Sequence, residues 1–244
     1  MSEASSVAPA AELGFFQRLT GLYTSPTETF RSIVARPTAL VPILILLVLA
    51  GGFSVIWMSK VDRQAFMREQ LEQSPRTANM PPEQKAQIVE KQAQFMPVFT
   101  VVILVFLPLF YLGTALVYMV IFRFLFGADL TYKQSLAITA WSFLAVGLIS
   151  TPLMLAVFAL KGDWNIDPGK ILQANLTLVL PATAPKWLTA LASSIDLFSI
   201  WIITLLSAGY GVASRRTLSG ALTGVLIPWI VIIICKVGWA ALMG

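Results

Sequence analysis

The 244-residue chain has no histidine, one cysteine (Cys235) and only 12% charged residues. Without histidine, zinc clusters and imidazole-based acid–base machinery are excluded, and most hydrolytic schemes lose their central group. A single cysteine cannot build a disulfide framework, so the redox compartment is not legible. Charge is also scarce, since soluble domains carry roughly 25%. With 57% hydrophobic residues and a mean hydropathy of +0.78, the chain falls in the membrane class. Its net charge of +5 is not concentrated, because no basic run exceeds the pair Arg215-Arg216. Nucleic acid is therefore not an expected partner, and the excess reads as loop charge facing anionic lipid.

Also missing are a G-x-x-x-x-G-K-[ST] loop, a G-x-S-x-G elbow and an H-E-x-x-H helix, so no catalytic or cofactor-binding residue is assigned. Asp163, Asn165 and Asp167 alternate like the start of a calcium loop. Pro168 stands where that loop needs glycine, and Ala174 where it needs glutamate, so no metal site is assigned. A membrane enzyme would need an unusual acid pair such as Asp163 with Asp167.

What is present is five apolar runs. About 20 apolar residues at 1.5 Å each cross a hydrocarbon core of ~30 Å. Residues 38–58, 96–126, 134–160, 190–213 and 219–243 meet that length, which predicts an all-α integral membrane protein with a five-transmembrane-helix bundle. The expected organisation is a disordered tail over 1–12, interfacial amphipathic helices over 13–37 and a membrane domain over 38–244. Within that domain, residues 59–95 read as a soluble helical hairpin, its second helix opening near Pro81-Pro82. The segment "KILQANLTLVLP" is too short to span and is expected at the interface or over the bundle end.

The N-terminal amphipathic element carries clear helix signals. Ser25, Pro26 and Glu28 have the spacing of a capping box with proline at the first helical position. Arg36-Pro37 stops the helix, because a residue before proline avoids the helical region. Upstream, Phe15, Phe16, Leu19, Leu22 and Tyr23 fall along one side of another helix. These spacings predict two short helices in line on the membrane surface, with Arg31 and Arg36 reaching lipid phosphates. Arg123, Arg215 and Arg216 are further lipid-interface candidates. Their position near short loops favours a cytoplasmic N-terminus and an outside C-terminus.

Ionisable groups inside spans are functional suspects by cost alone. Asp196 is the only acidic residue within an expected span; lying within two turns of the span's start, it reads either as a boundary residue held by water or a helix N-terminus or as the candidate intramembrane polar site. Gly220, Gly224 and Pro228 share a face of the last span. Small residues at this spacing allow close helix packing, either within the chain or against a second copy or another membrane protein.

Three stretches resemble the Yip family, the Ypt/Rab-interacting protein domain. One is "SPTETFRSIVARPTALVPILIL", through Pro26, Phe30, Ile33 and Pro37. Another is "FGADLTYKQSLAITAWSFLAVGL", a glycine-and-lysine turn into the third span. The last is "IWIITLLSAGYGVASRRTLSGALTGVLIPWIV", paired spans joined by a small basic loop. The resemblance implies a five-span, non-enzymatic membrane protein with no cofactor. Eukaryotic members act in vesicle trafficking and bind Rab-type GTPases. This chain has a short segment before span one and a charged hairpin after it, so its architecture is similar to a bacterial member's, and GTPase binding is carried to no residue. The expected function is a membrane-organising or trafficking-type scaffold in a bacterial inner membrane. The rival expectation is a small transporter or channel subunit using Asp196 and spans kinked at Pro108, Pro152 and Pro228.

Overall fold

The computed structural model describes residues 13–74, 77, 79–172, 175–181 and 183–242, so the expected tail over 1–12 lies outside the described residues. Ten α-helices follow in order among them: α1 (Phe15–Thr24), α2 (Pro26–Ala35), α3 (Leu40–Lys60), α4 (Arg63–Glu72), α5 (Pro82–Phe124), α6 (Tyr132–Lys161), α7 (Pro168–Ile171), α8 (Lys186–Ala192), α9 (Leu197–Ser214) and α10 (Leu218–Leu242). A 3-10 turn at Leu176–Val179 lies between α7 and α8. No strand occurs among the described residues; Asn175 and Asp196 form an isolated antiparallel bridge. Five helices are long and apolar enough to cross a membrane: α3, α5, α6, α9 and α10.

Two spans differ from their expected bounds. The second is continuous with the soluble helix before it, giving 43 residues in α5 despite Pro97 and Pro108. At 1.5 Å per residue this rod is about 65 Å long, so more than half of it lies beyond a ~30 Å core. Its early part is covered by α4, and Trp57, Phe66, Met96, Phe158 and Ile171 form a small apolar cluster there. The fourth span does not begin at residue 190. The chain breaks after α8 and restarts at Leu197, because Asp196 takes the N-cap and accepts from the Phe198 and Ser199 backbone N–H groups at 2.9 and 3.0 Å.

α9 is the central staff. Of its apolar window 44% is buried, against 11% for that of α5, so the membrane-spanning part of α5 is mostly left uncovered by the rest of the described chain. Around α9 the core gathers Phe30, Phe122, Trp141 and Tyr210, all at most 1% exposed. Tyr210 stacks on Phe122 at 4.7 Å. Its hydroxyl lies 2.6 Å from that of Ser135 and 3.1 Å from that of Thr139, while Ser135 donates to the Ala115 carbonyl at 2.6 Å. That chain of bonds ties α5, α6 and α9 together and satisfies polar atoms that would be costly in a dry core.

The N-terminal pair also departs from expectation. Instead of lying in line, α1 and α2 fold back at Ser25. Helices in line would hold Arg18 and Arg36 about 27 Å apart. Here the Arg18 Nη1 donates to the Arg36 carbonyl at 3.2 Å, and a Cβ on Gly21 would collide with the Thr29 hydroxyl. Nor does this pair simply rest on the bundle. Phe30 and Ile33 are 0% exposed, and the Tyr23 hydroxyl donates to the Ala145 carbonyl at 2.7 Å. The reason is a vacancy left by α3. Trp141 donates its indole N–H to the Thr38 carbonyl at 2.8 Å, and Leu46 touches Gly147, so α3 accompanies only the later part of α6. The hairpin fills the wedge beside the first turns of α6, where Gln134 donates to the Val34 carbonyl at 3.2 Å.

The expected capping box at Ser25 does not form, since Ser25 makes no side-chain cap bond and Glu28 pairs with Arg31. A complete box occurs at Thr131 and Gln134, where α6 starts, and α6 ends on Gly162 at φ 66°.

Candidate functional site

α9 ends in a Schellman arrangement: the Arg216 N–H bonds to the Gly211 carbonyl at 2.8 Å and the Arg215 N–H to that of Val212 at 3.3 Å. This motif places its turning residue in the left-handed region, where glycine is preferred. Here that residue is Arg215, at φ 54° and ψ 37°, alone among non-glycine described residues in having positive φ. A non-glycine residue there costs roughly 1–2 kcal/mol.

A cavity of about 390 Å³ lies between α2, the end of α9 and the start of α10, lined by Thr27, Arg31, Ala208, Gly211, Val212, Arg215, Arg216 and Leu218. Three arginines from two distant parts of the chain line it. No acidic residue lines it among the described residues; the nearby Glu28 pairs with Arg31. Arg216 is held from behind, donating to the Phe126 carbonyl at 3.3 Å with its guanidinium 4.8 Å from the centre of the Phe126 ring. Thus three of the five arginines expected at the lipid interface share one cavity. Arg36 caps α2, and Arg123 lies exposed in the last turn of α5, one turn before Phe126.

Of the two readings of Asp196, the structure has the boundary one. The residue caps α9, and its second oxygen accepts from the Ser199 hydroxyl. Lys236 sits at the same end of the bundle, donating to the Ser193 and Ser194 hydroxyls at 2.9 and 3.0 Å. Gly224 is used inside the chain, since a Cβ there would stand 2.8 Å from Phe126 and 2.9 Å from Phe122. Gly220 meets Thr217, whereas Pro228 lines a separate apolar cavity with Phe110, Tyr118, Phe143 and Trp229. Asp163 and Asp167 accept from the Asn165 and Gly169 N–H groups, which makes them turn and cap residues.

One residue was not singled out from the sequence. Arg18 is 6% exposed and donates to the Ser32 carbonyl at 3.3 Å, the Arg36 carbonyl at 3.2 Å and the Thr38 hydroxyl at 3.1 Å. It closes the C-terminus of α2, where a cation suits the helix dipole. Desolvation, then the Arg36 charge, push its guanidinium below the ordinary arginine value, yet arginine stays charged in proteins. The available signal was its register, three residues after Phe15 and four before Leu22, on the apolar stripe itself.

These features define a multi-pass α-helical membrane protein with a cationic cavity at the end where α9 turns into α10. The chain belongs to the Yip1 domain family, whose model matches residues 20–240. No curated protein and no solved structure matches it at a significant level.

Proposed function

We propose that this protein is a non-enzymatic, membrane-organising scaffold of the Yip type. The observation that carries this reading is the fate of Asp196. A transporter needs its intramembrane acid available to a solute or proton, whereas both oxygens of Asp196 are engaged at the start of α9. The filled core around Tyr210, Trp141 and Phe30 supports the same reading. A basic end formed by Arg123, Lys133, Arg215 and Arg216 favours a cytoplasmic N-terminus in a bacterial inner membrane. Its partners are the bilayer and other membrane proteins.

Two measurements test this. Reconstituted liposomes should show no ion or proton flux above empty vesicles. Flux that Asp196→Asn abolished would replace the scaffold reading with transport. Orientation is checked in a Cys235→Ser background by introducing a cysteine for Thr217. Labelling by an impermeant maleimide from the periplasmic side would reverse the topology.

A further inference from the structure

We infer that the cavity at Arg31, Arg215 and Arg216 is a seat for the phosphate of an anionic lipid headgroup. Guanidiniums present paired N–H donors in a planar fork that matches phosphate oxygens, and such charge-assisted bonds are about twice as strong as neutral ones. One Arg31 nitrogen is engaged by Glu28, and Arg216 spends Nη2 on Phe126, leaving further donors on each. A backbone donor adds to these. At the start of α10, Gly220 and Ala221 donate to Thr217, while the N–H group of Leu218, which lines the cavity, has no partner among the described residues. The first N–H groups of a long helix favour an anion.

The surroundings select a lipid over a free anion. Ala208, Val212 and Leu218 line the same cavity, and Leu218 is half exposed. A headgroup held by the arginines would therefore lay its glycerol and upper acyl carbons on apolar side chains. The choice of arginine at 215 fits this role. Folding would favour glycine there, so the strained residue is the one that adds a third arginine to the cavity lining. The inference depends on membrane placement and not on the scaffold role.

The test uses the full chain in a neutral detergent, titrated separately with dioctanoyl phosphatidic acid, dioctanoyl phosphatidylcholine and inorganic phosphate. Phosphatidic acid should bind at least about tenfold more tightly than either of the others, tenfold being the worth of one good charged contact. Arg31→Gln and Arg215→Gly should each remove about that preference. Arg215→Gly separates binding from folding, since glycine suits the left-handed turn and its melting temperature should hold or rise. Equal affinity for the zwitterionic lipid, or undiminished preference in either variant, overturns the inference. Inorganic phosphate binding as tightly as phosphatidic acid would make this a free-anion site and overturn the lipid assignment. Liposome flux, by contrast, would overturn the scaffold reading and leave this site intact.

Discussion

Glycine does opposite things in two regions of this molecule. Around α9, each glycine is a contact. A Cβ at Gly209 would stand 2.5 Å from Ile138 and 3.0 Å from Phe30, and one at Gly224 would press on Phe122 and Phe126. In α3, Gly51 and Gly52 meet nothing within 4 Å. In lipid, helices gain little by hiding apolar side chains from tails that are equally apolar, so association relies on close packing and hydrogen bonds. The first region has both, through its small residues, the Tyr210 network and the Arg18 clamp. The second has neither at its glycines, and its apolar side chains point outward, Val48 and Val55 at more than 70% exposure. Stability should therefore be concentrated in the wedge of α1, α2, α6 and α9.

The sharpest measure of that contrast is a pair of phenylalanines. Phe30 is fully buried against Gly209, whereas Phe99 on α5 is 61% exposed. Phe30→Ala should cost about 3–5 kcal/mol in reversible unfolding from detergent micelles, the usual penalty for emptying a buried aromatic site. Phe99→Ala should stay within about 0.5 kcal/mol, as lipid-side substitutions far from packed features do. Equal losses would erase the distinction between packed and exposed surfaces.

Arg18→Ala comes next, at about 2–3 kcal/mol, because hydrogen bonds to a charged donor are lost and the end of α2 is left uncapped. Protease cleavage between α2 and α3 should increase with it. An unchanged cleavage pattern would mean that the hairpin holds without its clamp. Gly209→Ala follows at roughly 1–3 kcal/mol, the cost of overpacking a tight core. If Gly209→Ala proved neutral, α2 would have room to slide on α9, and the tight-wedge picture would fail.

Much of the frame was legible because it rests on length and polarity. Five apolar runs, a proline-opened α2 and α5, and the basic α9–α10 turn all follow from composition along one dimension. What escaped depends on which residues meet across the fold. Asp196 counted as a span residue because hydropathy windows average over caps, and a Ser-Ser-Ile-Asp break is short enough to vanish inside one. The Ser25–Glu28 spacing promised a box, but Arg31 at i+3 competes for the same carboxylate. The fold-back at Ser25 was invisible because two amphipathic stretches look alike whether in line or antiparallel; Gly21 opposite Thr29 decides it. For the candidate site, the individual arginines could be named from the loops, while their place in one cavity lining needed Arg215 in a left-handed turn beside α2.

The smallest expected effect tests the open side. Gly51 and Gly52 sit mid-helix in α3, with no described side chain near enough to resist a methyl group. In a helix interior glycine is about 0.5–1 kcal/mol worse than alanine, since it has more backbone freedom to lose. The double variant Gly51→Ala, Gly52→Ala should therefore leave stability unchanged or raise it by up to about 1–2 kcal/mol, and its particle size on gel filtration should match the parent. A clear loss would have a specific meaning, because no described residue comes within 4 Å of a Cβ at either position. A second molecule would have to be packed against it, as small residues permit, and a simultaneous shift to a smaller particle would show that the exposed side of α3 is an interface between copies.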